Sequence, residues 1–206
     1  MLTLFGLAFL IGMRHALDPD HIAAVSNLAL QDASAGRLLH HGAAWGMGHG
    51  GMLIVFGIAV TLLGGQLPPG IDSLLQLAMA AVLLGLGIST LRRAWRARNG
   101  SRGANPGGSR TMHNSFLVGL AQGLAGTATL TLMATLPHAH ERSPLLFLAV
   151  FALGSLIGML GLLAVATLPL AGRLKSAFAP RSPLHWIIGL ATAAIGCNAA
   201  ASQLLH

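Results

Sequence analysis

Long apolar runs follow one another along the chain, and each is about as long as a membrane-spanning helix. A helix that crosses the hydrocarbon core of a bilayer needs about 20 apolar residues. Apolar residues recur around the whole helix circumference and do not alternate as in barrel strands, so the runs indicate helices. The pattern predicts an all-α membrane protein with six transmembrane helices, at 2–30, 38–63, 73–94, 115–136, 145–168 and 184–205.

The composition supports a membrane protein. Of 206 residues, 54% are hydrophobic and only 8% are charged, whereas a soluble domain has about 25% charged residues. The net charge of +7 would suit nucleic acid, but the basic residues lie in connections between apolar runs. We therefore expect the lipid bilayer, and no nucleic acid, as a partner. The single cysteine, Cys197, excludes a disulfide framework.

The distribution of basic residues predicts the orientation. All but two of the 12 lysines and arginines lie in alternate connections, at 31–37, 92–113 and 169–183. Because connections rich in Lys and Arg stay on the cytoplasmic side, these three are expected to face the cytoplasm. The prediction is a multi-pass protein of the cell inner (plasma) membrane, with both termini outside the cytoplasm.

A Gly-, Ser- and Arg-rich segment at 97–113 divides the chain in two. Such a composition is typical of a flexible linker. It separates a first half at 1–96, which contains the charged motif described next, from a second half at 114–206. Because each half has three spans, an odd number, the halves would enter the membrane from opposite faces. This is the arrangement of two inverted three-helix repeats, a common plan in transporters.

The first apolar run is interrupted by the sequence Arg-His-Ala-Leu-Asp-Pro-Asp-His at 14–21. Ionisable side chains within a bilayer cost about 2.5–3.5 kcal/mol each on insertion scales, so they are rare and usually functional. Pro19 cannot donate to the carbonyl of His15, and Asp18 followed by proline resembles the start of a new helix. We therefore expect the first helix to be broken near Pro19 and the His15 carbonyl to be freed as a further ligand.

The side chains of this motif form a candidate metal site. His15, Asp18 and His21 share one broad helix face through their spacing, and a break would bring Asp20 toward them. His49 lies near the middle of the second span, at a depth that matches His15. Imidazole and carboxylate together suit a borderline transition metal such as nickel, cobalt, zinc or copper.

Three segments resemble one transporter family. The segment from Arg14 to Ile22 resembles the RHAxDADHI signature of the nickel/cobalt transporter (NiCoT, NicO) superfamily, whose HX4DH core is matched by His15, Asp20 and His21. The segment 47–50 is similar to the second motif of that superfamily, and 119–128 resembles a segment of its shorter, urease-accessory UreH-like branch. The resemblance implies secondary transport of Ni²⁺ or Co²⁺, usually uptake.

The leading prediction is thus a metal permease, with no enzyme activity and no catalytic cofactor, for which Ni²⁺ or Co²⁺ is the substrate. The polar residues of the later spans are candidates to line its pathway, namely Gln122, Thr127, Ser155 and Asn198.

Several alternatives stay open. One is an accessory subunit that hands metal to a partner in metalloenzyme maturation. Others are a metal exporter and an intramembrane metalloenzyme in which the metal activates water. Assembly into a homo-oligomer is also open. A purely structural alternative pairs Arg14 with Asp18 or Asp20 in a buried polar network.

Overall fold

The computed structural model describes residues 2–30, 35–63, 70–99, 112–125, 144–167, 179 and 182–205. Helix is the only regular secondary structure in these ranges, so the all-α prediction is confirmed for them. We number the helices in chain order: α1 (Leu2–His15), α2 (Pro19–Ala29), α3 (Ala35–Leu62), α4 (Ile71–Arg98), α5 (Met112–Ala125), α6 (Pro144–Thr167) and α7 (Pro183–Leu204). The linker at 97–113 lies largely outside the described residues, and the division into halves stays a prediction.

The first helix is broken at the predicted place. α1 ends at His15 and α2 begins at Pro19. Asp18 lies between them in an extended conformation, with φ −63° and ψ 146°, and Pro19 is the first helical residue. A proline fits there because its missing N–H is one that the first turn of a helix leaves unpaired. The predicted break near Pro19 is confirmed.

Four of the helices are long and apolar enough to cross a membrane, at Gly36–Leu62, Ile71–Arg98, Leu145–Ala166 and Pro183–Leu204. The 14 residues of α1 span about 21 Å, which is less than a bilayer core of about 30 Å. The fourth predicted span continues from α5 into residues outside the described ranges. Membrane helices are therefore confirmed, while the number six stays a prediction.

The outer faces of the long helices are apolar. Val55, Leu74, Val165 and Ile187 are 61–65% exposed. In water such a surface would be unfavourable, whereas lipid chains would cover it without loss.

The helices of the two predicted halves pack against each other. α1 packs along α6, α3 lies against both α5 and α6, and α4 packs along α7. One core cluster contains Ala16, next to the break, and Leu28 near the end of α2, together with Trp45, Met159 and Leu163 from α3 and α6. The break therefore packs against other helices at Ala16, while Leu17 is 56% exposed.

A buried polar network fixes α2 from its other side. Asn27 is fully buried, and its Nδ2 donates to the carbonyl of Ala23 at 2.7 Å and to the hydroxyl of Thr192 at 2.8 Å. Its Oδ1 accepts the hydroxyl proton of Thr90 at 2.6 Å. Because every polar atom of Asn27 has a partner, this network ties α2 to α4 and α7 without an unpaired group.

Candidate metal centre

Three histidine rings meet next to the helix break. His15 is the last residue of α1, His21 lies in the first turn of α2, and His49 lies in the middle of α3. The ring centroids are 4.7 Å apart for His15 and His21, 4.8 Å for His21 and His49, and 5.3 Å for His15 and His49. One nitrogen of each ring lies within 4.8 Å of the others, so that a single ion could contact all three.

These rings are buried and leave several nitrogen atoms without a partner. His15 is 8% exposed, His21 is 1% exposed and His49 is fully buried. Nε2 of His15, Nε2 of His21 and both ring nitrogens of His49 have no hydrogen-bond partner. Buried polar atoms are nearly always paired, so four unpaired nitrogens in one cluster call for an explanation. A bound cation would satisfy one nitrogen of each ring, because neutral imidazole offers one lone pair and is the commonest protein ligand for metals.

The two aspartates hold the far side of two of these rings. Asp18 Oδ2 lies 2.7 Å from His15 Nδ1, and Asp20 Oδ1 lies 3.1 Å from His21 Nδ1. A carboxylate that accepts the Nδ1 proton fixes the tautomer and leaves the Nε2 lone pair for a metal. Asp18 and Asp20 also lie within 4.8 Å of a nitrogen of His21 and of each other. The carboxylates can therefore orient the imidazoles or bind an ion directly.

The His15 carbonyl was expected to lack a hydrogen bond, but the structure gives it one. It accepts the backbone N–H of Asp18 at 3.0 Å. The chain turns tightly between α1 and α2, and this turn replaces the helical bond that Pro19 cannot make. The expectation that Pro19 leaves this carbonyl without a hydrogen bond is therefore wrong, while its role as a ligand or water partner stays a prediction.

Two aromatic side chains pack against the cluster. Phe151 of α6 lies 5.5 Å from His15 between ring centroids, and Trp45 of α3 lies 5.7 Å from His21. Both are almost fully buried. They bring apolar surface against the histidines, which lowers the local dielectric constant and strengthens electrostatic interactions within the site.

The structure describes three of the four residues predicted to line the pathway, and their surroundings differ. Gln122 is buried and accepts the indole N–H of Trp45 at 2.5 Å, while its Nε2 donates to the backbone carbonyl of Asp20 at 3.2 Å. Ser155 is buried, and its hydroxyl has no partner. Asn198 is exposed. Thr127 lies outside the described residues. Of this group, Gln122 is the one whose hydrogen bonds reach the histidine–aspartate motif.

Sequence reasoning missed Trp45 and the Asn27 network. Trp45 contacts both Gln122 and His21, and its position four residues before His49, one helical turn away, was an available signal. Asn27, an amide within an apolar run, was a similar signal. The partners of both residues come from distant helices, which no local pattern reveals.

The fold and the cluster together indicate a helical membrane protein in which two partly exposed carboxylates lie beside buried imidazoles, a donor set suited to a divalent transition metal. The chain is 28% identical over 182 residues to the urease accessory protein UreH of Bacillus sp. (strain TB-90), a match that covers 82% of this chain and 78% of that protein. A stretch of 57 residues is 40% identical to a high-affinity nickel transport protein of Cryptococcus neoformans var. grubii serotype A, covering 27% of this chain and 12% of that protein. No family model and no solved structure matches the chain. These two matches support the resemblance to the nickel/cobalt transporter superfamily that the first motif predicted, and to its shorter UreH-like branch that the segment 119–128 predicted. Both relatives are named for transport or accessory roles and not for catalysis.

Proposed function

We propose that this chain is a secondary permease that moves Ni²⁺ or Co²⁺ across the cytoplasmic membrane. The observation that carries the proposal is that His15, His21 and His49 each have a buried ring nitrogen without a hydrogen-bond partner, and that one nitrogen of each ring lies within 4.8 Å of the others. The printed name of one relative, a high-affinity nickel transport protein, supports nickel as the metal, and the other relative is named a urease accessory protein.

In this proposal the three imidazoles hold the ion, and the two carboxylates orient two of the imidazole rings. Asp18 and Asp20 keep Nδ1 of two rings protonated, so that Nε2 faces the ion. The carboxylates also offset the charge of a divalent cation at this depth. Imidazole nitrogen favours borderline metals over Mg²⁺ and Ca²⁺, which prefer oxygen ligands.

Helix contacts support two equivalent halves. A Cβ at Gly12 of α1 would collide with the carbonyl oxygen of Phe151 on α6. In the same way, a Cβ at Gly119 of α5 would collide with the carbonyl oxygen of Trp45 on α3. The pair α1–α6 and the pair α3–α5 thus approach each other through matching positions.

The contacts made by glycines on the partner helices, α6 and α3, match each other in the same way. A Cβ at Gly154 of α6 would collide with the carbonyl oxygen of Phe9, and a Cβ at Gly48 of α3 with that of Phe116. Phe9 therefore matches Phe116, and the local sequences agree: Phe-Leu-Ile-Gly at 9–12 and Phe-Leu-Val-Gly at 116–119. The same spacing along the chain matches His15 with Gln122.

In the third pair, α4 of the first half packs against α7 of the second half. Exchanging the two halves would exchange these two helices, so the same contact should appear from both sides. A Cβ at Gly87 of α4 would lie 2.7 Å from the backbone nitrogen of Ala193, and a Cβ at Gly196 of α7 would lie 2.9 Å from that of Leu84. If Gly87 matches Gly196, the same shift matches Leu84 with Ala193. All three helix pairs therefore support one exchange of the first half with the second.

The directions of the helices support an inverted exchange. Along α3, Gly42 meets Leu163 and Gly57 meets Leu148 of α6, so these two matched helices are antiparallel. An axis that exchanges antiparallel helices lies perpendicular to them, hence in the plane of the membrane. Such inverted repeats open a central site alternately to each side by rocking one half against the other.

Membrane potential would drive the divalent ion inward, by about 4.6 kcal/mol per 100 mV for two charges. The orientation with both termini outside the cytoplasm, and the plasma membrane as the location, belong to this proposal. An accessory role is the second candidate, since the relative with the longer match is named an accessory protein.

The test is transport of ⁶³Ni²⁺ or Co²⁺ into proteoliposomes that contain only the purified chain. We expect uptake that falls at least about tenfold in His21→Ala and stays unchanged in His40→Ala. His40 is a matched control because it is exposed and its Nδ1 bonds to the Gly36 carbonyl of its own helix. Uptake by His21→Ala equal to that of the unaltered chain would contradict the proposed site. Uptake only after a partner is added would favour the accessory role.

A further inference from the structure

Gln122 is a buried side chain that connects the second half of the chain to the metal motif. It is 1% exposed. Its Oε1 accepts the indole N–H of Trp45 at 2.5 Å, and its Nε2 donates to the backbone carbonyl of Asp20 at 3.2 Å. Both ends of the carboxamide are thus engaged, one by α3 and one by the first turn of α2. A buried amide held at both ends is fixed in position and orientation.

The two partners of Gln122 flank His21. The Trp45 ring lies 5.7 Å from the His21 ring between centroids. The Asp20 carboxylate lies 3.1 Å from His21 Nδ1. Gln122 therefore holds the aromatic neighbour of this imidazole and the backbone of the residue that accepts its Nδ1 proton.

We propose that Gln122 is a positioning residue for the metal centre. By holding the Trp45 indole and the Asp20 backbone together, it fixes the His21 ring so that Nε2 faces the other two histidines. Gln122 touches no unpaired ring nitrogen and is not itself a ligand. This inference rests on the proposed permease function, because it concerns the geometry of that same metal site.

The correspondence between the halves agrees with this role. His15 bonds to Asp18 and packs against Phe151, and the matched Gln122 bonds to Trp45, which matches Phe151. The same place in the fold thus holds a ligand in the first half and a neutral hydrogen-bonding side chain in the second.

The experiment compares Co²⁺ binding by the purified full-length chain and its variants in detergent. Co²⁺ is the probe because its visible absorption spectrum reports the geometry of its ligands. Gln122→Leu removes both hydrogen bonds at similar volume, and Trp45→Phe removes only the indole donor and keeps a ring beside His21. We expect Gln122→Leu to weaken Co²⁺ binding by about 10–100-fold, as is usual for residues that orient a ligand, and to change the spectrum.

Trp45→Phe should give a smaller loss in the same direction. The double variant should bind little more weakly than Gln122→Leu alone, because the two substitutions remove one shared hydrogen bond. The matched control is Thr192→Val, which breaks an equally buried hydrogen bond, to Asn27, away from the histidines. The control should lose thermal stability and keep the Co²⁺ affinity and spectrum of the unaltered chain.

An unchanged affinity and spectrum in Gln122→Leu would overturn the positioning role. If Gln122→Leu does not fold, an unchanged spectrum and affinity in Trp45→Phe would overturn it instead. His21→Ala separates this question from the larger one. Co²⁺ binding that survives in His21→Ala refutes the metal site itself, whereas binding lost there but kept in Gln122→Leu refutes only the role of Gln122.

Discussion

We expect His49→Leu to stabilise the metal-free protein while it abolishes metal binding. His49 is fully buried, and neither ring nitrogen has a hydrogen-bond partner. An unpaired buried polar atom costs about 1–3 kcal/mol. We take the lower end of this range because water that enters a polar site recovers part of the cost. Two such atoms cost about 2 kcal/mol. Leucine is apolar and of similar size, so the substitution should raise the unfolding free energy of the metal-free protein by about this amount.

Metal should reverse the order of stability. A ligand that binds only the folded state stabilises it by about 2.7 kcal/mol when its concentration is 100 times the dissociation constant. The unaltered chain receives this stabilisation, and His49→Leu, with one of three imidazoles removed, does not. The variant is thus the more stable protein in chelator and the less stable one in saturating Co²⁺.

The assay is denaturation of the purified protein in detergent, once with EDTA and once with Co²⁺. His40→Leu is the control, because this exposed histidine lies on the same helix and away from the cluster. We expect the control to differ from the unaltered chain by less than about 0.5 kcal/mol under both conditions. A variant His49→Leu that is less stable than the control in EDTA would show that the His49 nitrogens are not unpaired. Equal stabilisation by Co²⁺ in the variant and the unaltered chain would refute His49 as a ligand.

Four further substitutions test the site and its support. Asp20→Asn replaces the carboxylate beside His21 with a neutral acceptor and should weaken Co²⁺ binding about tenfold in calorimetry; unchanged affinity would exclude an orienting role. Gly48→Val would force a side chain into the backbone of α5 and should lower the unfolding free energy by about 3 kcal/mol. Gly85→Ala, where the added methyl group meets open space, should raise it by up to about 1 kcal/mol, and equal effects of the two would contradict the close contact. Asn27→Leu leaves two buried threonine hydroxyls without this partner and should cost about 2–3 kcal/mol in detergent denaturation, whereas a neutral effect would show that the network is not intact.

The parts of the site that follow from local chemistry could be predicted from the sequence. Pro19 cannot continue the helical hydrogen bonds of its predecessors, so the break between His15 and Pro19 needs no knowledge of other helices. Charged and imidazole side chains in an apolar run are costly unless they have a use. That reasoning led to His15, His21 and His49, and the structure brings their rings together.

The hydrogen bonds within the motif could not be predicted, because they depend on side-chain direction. Spacing along a helix places Asp18 near His15, but it does not say whether the carboxylate faces a shared ion or a ring nitrogen. In the structure it lies 2.7 Å from Nδ1 of that ring. The turn that closes the His15 carbonyl onto the Asp18 N–H depends likewise on the path of the chain across the break.

The proposed repeat shows why a comparison of side chains alone finds little similarity between the halves. Close approach of two helices demands a small residue at the point of contact, and so Gly12 and Gly119 occupy matching places. Close approach does not restrict the chemistry of the neighbouring positions. Residues as different as His15 and Gln122 can therefore occupy matching places. A second set of ionisable ligands would cost about 2.5–3.5 kcal/mol per residue within the bilayer and would be of no use to a permease that carries one ion at a time. Neutral residues at the matched positions of the second half therefore agree with the proposed inverted pair of halves around a single central site. In this proposal the symmetry is kept in the backbone contacts, while the ligands belong to one half.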